Sequence, residues 1–191
     1  MSNTGMGNRT VGRMIQEPND ADIIIAATDG GIYKSTDMCE NWTFTQGGNF
    51  KYVVFKPDNY DIVYAGTDDG IYKSEDGGSS WKQKGLAGAK WVNTIAIDPL
   101  NPDILYAGTG KPLSSYTGEI VGIFKSTDGG ETWQEKHSEK NIDAVAAILN
   151  DTDNSSYIYA ATYGELWKST DGGETWVKRD ILDPYRNEMV A

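Results

Sequence analysis

Four aspartates stand at one fixed place in a recurring phrase. Asp37, Asp76, Asp128 and Asp171 each follow a serine by two positions (Ser35, Ser74, Ser126, Ser169) and precede a tryptophan by five (Trp42, Trp81, Trp133, Trp176). A row of carboxylates at such intervals is one way to hold metal ions or to move protons. The spacing within each phrase argues instead for turn chemistry. An aspartate side chain accepts backbone N–H bonds from the residues just after it, and a glycine supplies the positive φ that reverses the chain. That glycine is Gly78, Gly130 and Gly173 in three copies, whereas Cys39 takes its place in the first and Met38 replaces the glycine before it. The first turn is therefore expected to be strained or altered. Each tryptophan is expected to plug a seam between neighbouring repeats, and loss of such a buried indole costs roughly 3–5 kcal/mol.

Chemistry outside the repeat is sparse. The segment from Gly110 to Val121 holds Lys111, Tyr116 and Glu119, an aromatic ring suited to stacking on a sugar or peptide with a cation and an anion for directional polar contacts. An indifferent loop insertion is the plain alternative. Arg13, Trp91 and His137 are further binding candidates, although a lone histidine in a polar link is ordinarily exposed and idle, and Trp91 ordinarily fills an interface. Asp151-Thr-Asp153-Asn-Ser155 opens like a calcium loop, yet Ser156 and Thr162 stand where that loop needs glycine and glutamate, so a polar hairpin is the better account. The single Cys39 cannot form an internal disulfide, and the single His137 cannot build a multi-histidine metal site. No metal and no cofactor are expected.

The elements that must position these residues repeat as well. Two apolar runs of strand length precede each phrase. The first reads Ala21-Asp-Ile-Ile-Ile-Ala-Ala-Thr28, Tyr60-Asp-Ile-Val-Tyr-Ala-Gly-Thr67, Pro102-Asp-Ile-Leu-Tyr-Ala-Gly-Thr109 and Ser155-Ser-Tyr-Ile-Tyr-Ala-Ala-Thr162. The second reads Gly31-Ile-Tyr-Lys34, Gly70-Ile-Tyr-Lys73, Gly122-Ile-Phe-Lys125 and Glu165-Leu-Trp-Lys168. These are β-rich in composition and bounded by turn residues. A further apolar segment lies upstream, as in Trp91-Val-Asn-Thr-Ile-Ala-Ile97, and a short one follows each tryptophan. Helical periodicity is absent throughout. The unit is thus four antiparallel strands, and the tryptophans recur after 39, 52 and 43 residues, the length of one small sheet. The expected fold is an all-β propeller with blades at about 11–46, 50–85, 90–136 and 141–179. Residues 180–191 read as the start of a fifth inner strand, because Asn187-Glu-Met-Val-Ala191 matches Val92-Asn-Thr-Ile-Ala96. Such a partial ring is expected to be a fragment of a larger propeller or to close by self-association into a ring of roughly eight blades, with an apolar flank exposed on both terminal blades.

The phrase Ser-x-Asp-x-Gly-x-x-Trp resembles the Asp-box, or bacterial neuraminidase repeat, with three full copies and one departure at Cys39. The wording around it, Tyr-Ala-Gly-Thr followed by Gly-Ile-Tyr-Lys-Ser, resembles the propellers of xyloglucan-active glycoside hydrolases, sortilin-type receptors and photosystem II assembly factors, over about residues 11–179. The resemblance implies that the boxes lie on the face opposite the ligand site. The second-to-third links would then face the ligand, and of these the segment 110–121 spends twelve residues where the others spend two. A sialidase needs an arginine cluster, whereas the chain holds only Arg9, Arg13, Arg179 and Arg186 and no Arg-Ile-Pro entry. A xyloglucanase-like hydrolysis needs one carboxylic acid and one base about the glycosidic oxygen, and Glu119 with Asp143 is the pair that falls near the implied mouth.

Charge narrows the partners. With 17 Lys and Arg against 28 acids, a net charge of −11 and a pI near 4.5, the chain lacks the cationic face that nucleic acid or an anionic membrane requires. No apolar run has the length of a signal peptide or membrane helix, so a soluble chain is expected, cytoplasmic or extracellular after loss of a leader. The triplets at Asn8, Asn41 and Asn154 do not decide between the two. The leading expectation is a non-catalytic binding or scaffold propeller whose mouth engages a glycan or protein segment. The alternatives are part of a xyloglucanase-like hydrolase and a purely architectural segment of a longer repeat protein.

Overall fold

The computed structural model describes residues 5–86, 91–110, 122–138, 145–162 and 165–179. Four meanders follow one another. Blade 1 comprises β1 (Val11–Gln16), β2 (Ile23–Thr28), β3 (Gly31–Thr36) and β4 (Thr43–Gly47), and blade 2 comprises β5 (Phe50–Lys56), β6 (Asn59–Thr67), β7 (Gly70–Ser74) and β8 (Lys82–Gly85). Blade 3 runs through β9 (Val92–Ile97), β10 (Leu105–Thr109), β11 (Ile123–Ser126) and β12 (Gln134–His137), and blade 4 through β13 (Val145–Asn150), β14 (Ile158–Thr162), β15 (Leu166–Ser169) and β16 (Val177–Arg179). Every sheet is antiparallel with its strands in chain order. The inner strands β1, β5, β9 and β13 pack against one another in turn, and the second strand of each blade packs on the inner strand of the next. The fold is an all-β propeller architecture.

Local chemistry sets the hairpins. A threonine ends each second strand: the Thr28 hydroxyl donates to Gly31 O (2.7 Å) and accepts from Gly30 N (3.2 Å). Thr67 does the same with Gly70 O (3.1 Å) and Asp69 N (2.9 Å). Thr109 bonds both the carbonyl and the N–H of Gly122, across the long link. All three threonines are buried, which a hydroxyl tolerates only when it is paired in this way.

The core lies between blades. One cluster joins Ile25, Ala27 and Ile32 of blade 1 to Phe50, Val53, Val63 and Trp81 of blade 2. The next joins Tyr64 and Ile71 to Val92, Ile95, Leu105 and Phe124, with Trp133 against it. The third joins Tyr106 and Ile123 to Ile148, Ile158 and Trp167, with Trp176 against it. Trp81, Trp133 and Trp176 therefore sit at seams with the blade before their own. Trp42 has its partners in its own blade, Ala26 and Tyr33, and is covered from outside by Met6. The leading flank of blade 1 is only partly covered: Met6 packs on it, yet Val11 and Met14, at the places that Phe50 and Val53 hold in blade 2, are 40% and 46% exposed, so part of the apolar flank expected from the sequence is open.

Candidate functional site at the inner-strand mouth

The repeated turns come first, since their carboxylates are the most numerous chemical groups. In all four the serine hydroxyl donates to the aspartate at 2.8 Å. The same hydroxyl accepts a backbone N–H from Cys39 (2.9 Å), Gly78 (2.8 Å), Gly130 (2.9 Å) or Gly173 (2.8 Å). The aspartate accepts from the backbone N–H four residues on, at Asn41, Ser80, Thr132 and Thr175, and its second oxygen accepts from the side chain of that residue. Hydrogen bonds from Thr132 and Thr175 hold Asp128 and Asp171 down at about 2. At Asp76 desolvation pulls upward, but the bonds from Ser80, Ser74 and Ser79 outweigh it and the result is again about 2. Carboxylates so committed have little left for a metal or a substrate. Among the described residues no three acids, histidines or cysteines gather as a metal site. Burial, with the nearby Asp37 charge, pushes the Cys39 thiol up, which keeps it protonated and a poor nucleophile.

Register assigns the faces. The start of β1 pairs with the end of β2 (Val11 with Thr28), and the start of β3 with the end of β4 (Gly31 with Gly47). Second-to-third links and fourth-to-first links therefore share one face, the mouth, and the Ser-Asp turns share the other with the first-to-second links. The turn Asp151–Ser155 belongs to the latter: Asp151 accepts from Asp153 N and Asn154 N, a polar turn of the expected kind. Ser155 donates to the buried Asp98 of blade 3 at 2.7 Å.

Three of the binding candidates are described, and the structure separates them. Arg13, exposed on β1, sets its guanidinium 4.2 Å from the ring centre of Tyr52 on β5. Trp91, half-buried just before β9, receives the ammonium of Lys51 at 5.9 Å. Blade 2 thus carries both partners on consecutive residues, between the two candidates. His137 departs from its expected place in an idle link. It is the last residue of β12, pairs with Ile123, and lies 4.4 Å from the ring of Trp167 and 6.3 Å from that of Trp176, inside the seam of blades 3 and 4. Lys111, Tyr116, Glu119 and Asp143 lie outside the described residues.

Two features of the mouth have no counterpart in the sequence reading. Each inner strand bulges near its start, skipping Gly12, Lys51, Asn93 and Ala146 in the pairing with the second strand. Bulges of this kind re-aim side chains at barrel rims and binding sites. Trp91 also holds φ at 67°, the left-handed region that a tryptophan rarely adopts, and such strain gathers at functional sites. Its carbonyl accepts from Gly110 N (3.0 Å), while the Asn93 side chain donates to Gly110 O (2.6 Å). The strained tryptophan and the bulged asparagine together fix the point from which the twelve-residue link departs. A recess between blades 3 and 4, lined by Lys125, Thr127, Thr132, Gln134, Lys136 and Glu174, lies on the turn side and is spanned by Glu174 bonds to both lysines.

No known family profile matches the chain. A xyloglucanase from Paenibacillus sp is 28% identical over 132 residues, which are 69% of this chain and 10% of that protein. Among solved structures, an ancestral GH74 enzyme superimposes with a TM-score of 0.76 at 27% identity, over 87% of this chain and 23% of the other. The GH74 enzyme of Niastella koreensis gives 0.56 at 17% identity, over 88% and 38% of the two chains. The computationally designed Ika8 protein gives 0.62 at 12% identity, over 88% and 48%. These last two share the fold alone. The chain spans 10% of the curated relative and 23% of the ancestral enzyme, so the likeness is to one part of larger xyloglucanase-type propeller proteins.

Proposed function

We propose that this chain is a segment of a xyloglucanase-like glycoside hydrolase, contributing one wall of a polysaccharide cleft at the inner-strand mouth. The observation that carries this reading is the extended likeness at 27% identity to an ancestral GH74 enzyme, in line with the curated xyloglucanase. This favours the hydrolase over the non-catalytic scaffold that the sequence alone puts first. The chemistry of the mouth agrees with it, since Trp91 offers an aromatic ring for a sugar, with Lys51 and the Arg13–Tyr52 pair beside it.

Glu119 and Asp143 are the proposed carboxyl pair. One protonates the leaving glycosidic oxygen while the other, ionised, takes a proton from the attacking water or attacks the anomeric carbon itself. The test is turnover of xyloglucan oligosaccharides. Hydrolysis abolished by Glu119→Gln or Asp143→Asn, and retained in Asp128→Asn, supports the pair. Binding without turnover, weakened about tenfold by Trp91→Ala through a lost stacking contact, returns the assignment to a binding module. No binding at all leaves an architectural segment.

A further inference from the structure

The seams obey a chemical rule that, among the described residues, one flank leaves unfilled. At the fifth position of the strand-two repeat stand Ile25, Tyr64, Tyr106 and Tyr159. The Tyr64 hydroxyl donates to Gly129 O of blade 3 (2.9 Å), and the Tyr106 hydroxyl to Gly172 O of blade 4 (2.8 Å). In both cases the acceptor is the first glycine of the next blade's turn. The residue after the glycine pair is then gripped by two cations of the blade before it. Lys73 and Lys84 hold Glu131 at 3.0 and 2.8 Å, and Lys125 and Lys136 hold Glu174 at 2.7 Å each. Blade 1 has a weaker version, in which Lys34 meets Ser79 at 3.1 Å.

Blade 4 repeats the donating half in full. Tyr159 stands where Tyr64 and Tyr106 stand, Lys168 where Lys73 and Lys125 stand, and Arg179 where Lys84 and Lys136 stand. The Lys168 ammonium lies 5.3 Å from the Tyr159 ring, as Lys73 and Lys125 lie 5.9 Å from theirs. Burial differs, however. Tyr64 and Tyr106 are 0% and 1% exposed and Ile32, Ile71 and Ile123 are all buried, whereas Tyr159 and Leu166 at the matching places are only half-buried.

The leading flank of blade 1 is not the complement. It offers Glu40 in the gripped position, but Met38 and Cys39 occupy the glycine seat. A Cβ at Gly173 would lie 2.7 Å from the Tyr106 ring, closer than a side chain tolerates, and one at Gly130 would lie 3.0 Å from the Tyr64 ring, a contact that forces the ring to give way. Cys39 therefore does not match the seat that receives a tyrosine ring in the seam geometry seen here, and Met6, like Cys39, packs on the cluster of Ala26, Tyr33 and Trp42.

We propose that the trailing flank of blade 4 is a docking face for one further blade whose turn begins Gly-Gly-Glu, with Tyr159 donating to the first glycine carbonyl and Lys168 and Arg179 gripping the glutamate. The fit is set by charge and by the need for a glycine beneath the tyrosine ring, so the occupant is a blade of that chemistry and not an unaltered second copy of this chain.

The chain itself supplies the probe. The full-length variant Met6→Ser/Met38→Gly/Cys39→Gly gives blade 1 the missing seat beside its native Glu40. It should associate head to tail in sedimentation velocity at least tenfold more tightly than the unaltered chain. Adding Lys168→Glu should reverse that gain, and mixing the Lys168→Glu form with a Glu40→Lys form of the same variant should restore it. The pair Met38→Gly/Cys39→Gly, with Met6 kept, serves if removal of Met6 unfolds the blade. Association no tighter than that of the unaltered chain, or indifferent to Lys168→Glu, overturns the proposal. So does an unaltered chain that associates as tightly as the variant.

Discussion

At the scale of residues, the first turn shows how much strain one hydrogen-bond pattern sustains. Met38 and Cys39 hold φ at 53° and 70°, close to the 64° and 86° of Gly77 and Gly78. The turn is therefore strained without being altered. The left-handed conformation costs a side-chain-bearing residue about 1–2 kcal/mol, and glycine gives back about 0.5–1 kcal/mol through its freer unfolded chain. Cys39→Gly should therefore stabilise the protein by about 0.5–1 kcal/mol, a rise in melting temperature of about 2–4 °C for each kcal/mol in a chain of this size. Gly130→Ala should act in the opposite sense, and more strongly, because its new Cβ meets the Tyr64 ring. The turn carboxylates give a pH signature. Asp76, Asp128 and Asp171 have folded values near 2 against an ordinary 3.8, so their ionised forms favour the folded chain. That contribution is complete above about pH 4 and is lost as the pH falls toward 2. Urea midpoints measured between pH 5 and 2 should fall steadily, and Asp128→Asn should flatten part of that slope.

Among the elements, the seam outranks the individual sheet. Each blade is a narrow meander, and most of its apolar residues are buried by the blade that lies across them. The indole of Trp133 packs on blade 2 so closely that a Cβ at Gly85 would fall 2.3 Å from it. Trp133→Ala should cost roughly 3–5 kcal/mol in chemical denaturation. Tyr64→Phe removes one buried hydrogen bond and strands the Gly129 carbonyl, for a loss of about 1–2 kcal/mol. Lys84→Ala, by contrast, breaks an ion pair that is open to water and should change stability by less than about 1 kcal/mol. Comparing these three variants separates packing from electrostatics at one seam.

For the whole molecule, the blades form a directional series. Blade 1 presents a flank that Met6 covers only in part, blades 2 and 3 are buried on both sides, and blade 4 presents a flank with its seam groups in place. Val63, Tyr64 and Ala65 of β6 are 0% exposed, while Val177 of β16 is 54% exposed. Local opening follows such differences in burial. Amide hydrogen exchange should therefore be slowest in β6 and β10 and fastest in β16, and docking of a further blade on Tyr159 and Lys168 should slow exchange in β14 and β15. Equal protection across all four blades would contradict this gradient.

The strand order, the hairpins and the location of the turns could be read in the chain, because each depends on residues within a few positions of one another. Serine, aspartate and glycine at fixed spacing close a turn wherever they occur, and alternating apolar runs of strand length pair with the run beside them. Contacts that cross a seam left no such local trace. Nothing near His137 in sequence announces that two indoles of another blade will lie against it, nor does anything near Met38 say that no tyrosine ring will press on the seat its neighbour fills. The bulges at Lys51 and Asn93, and the left-handed conformation of Trp91, likewise have no local signal in the sequence. Backbone hydrogen bonding is short in range and was encoded locally; the packing of one sheet on the next joins residues dozens of positions apart, and only the assembled blades decided it.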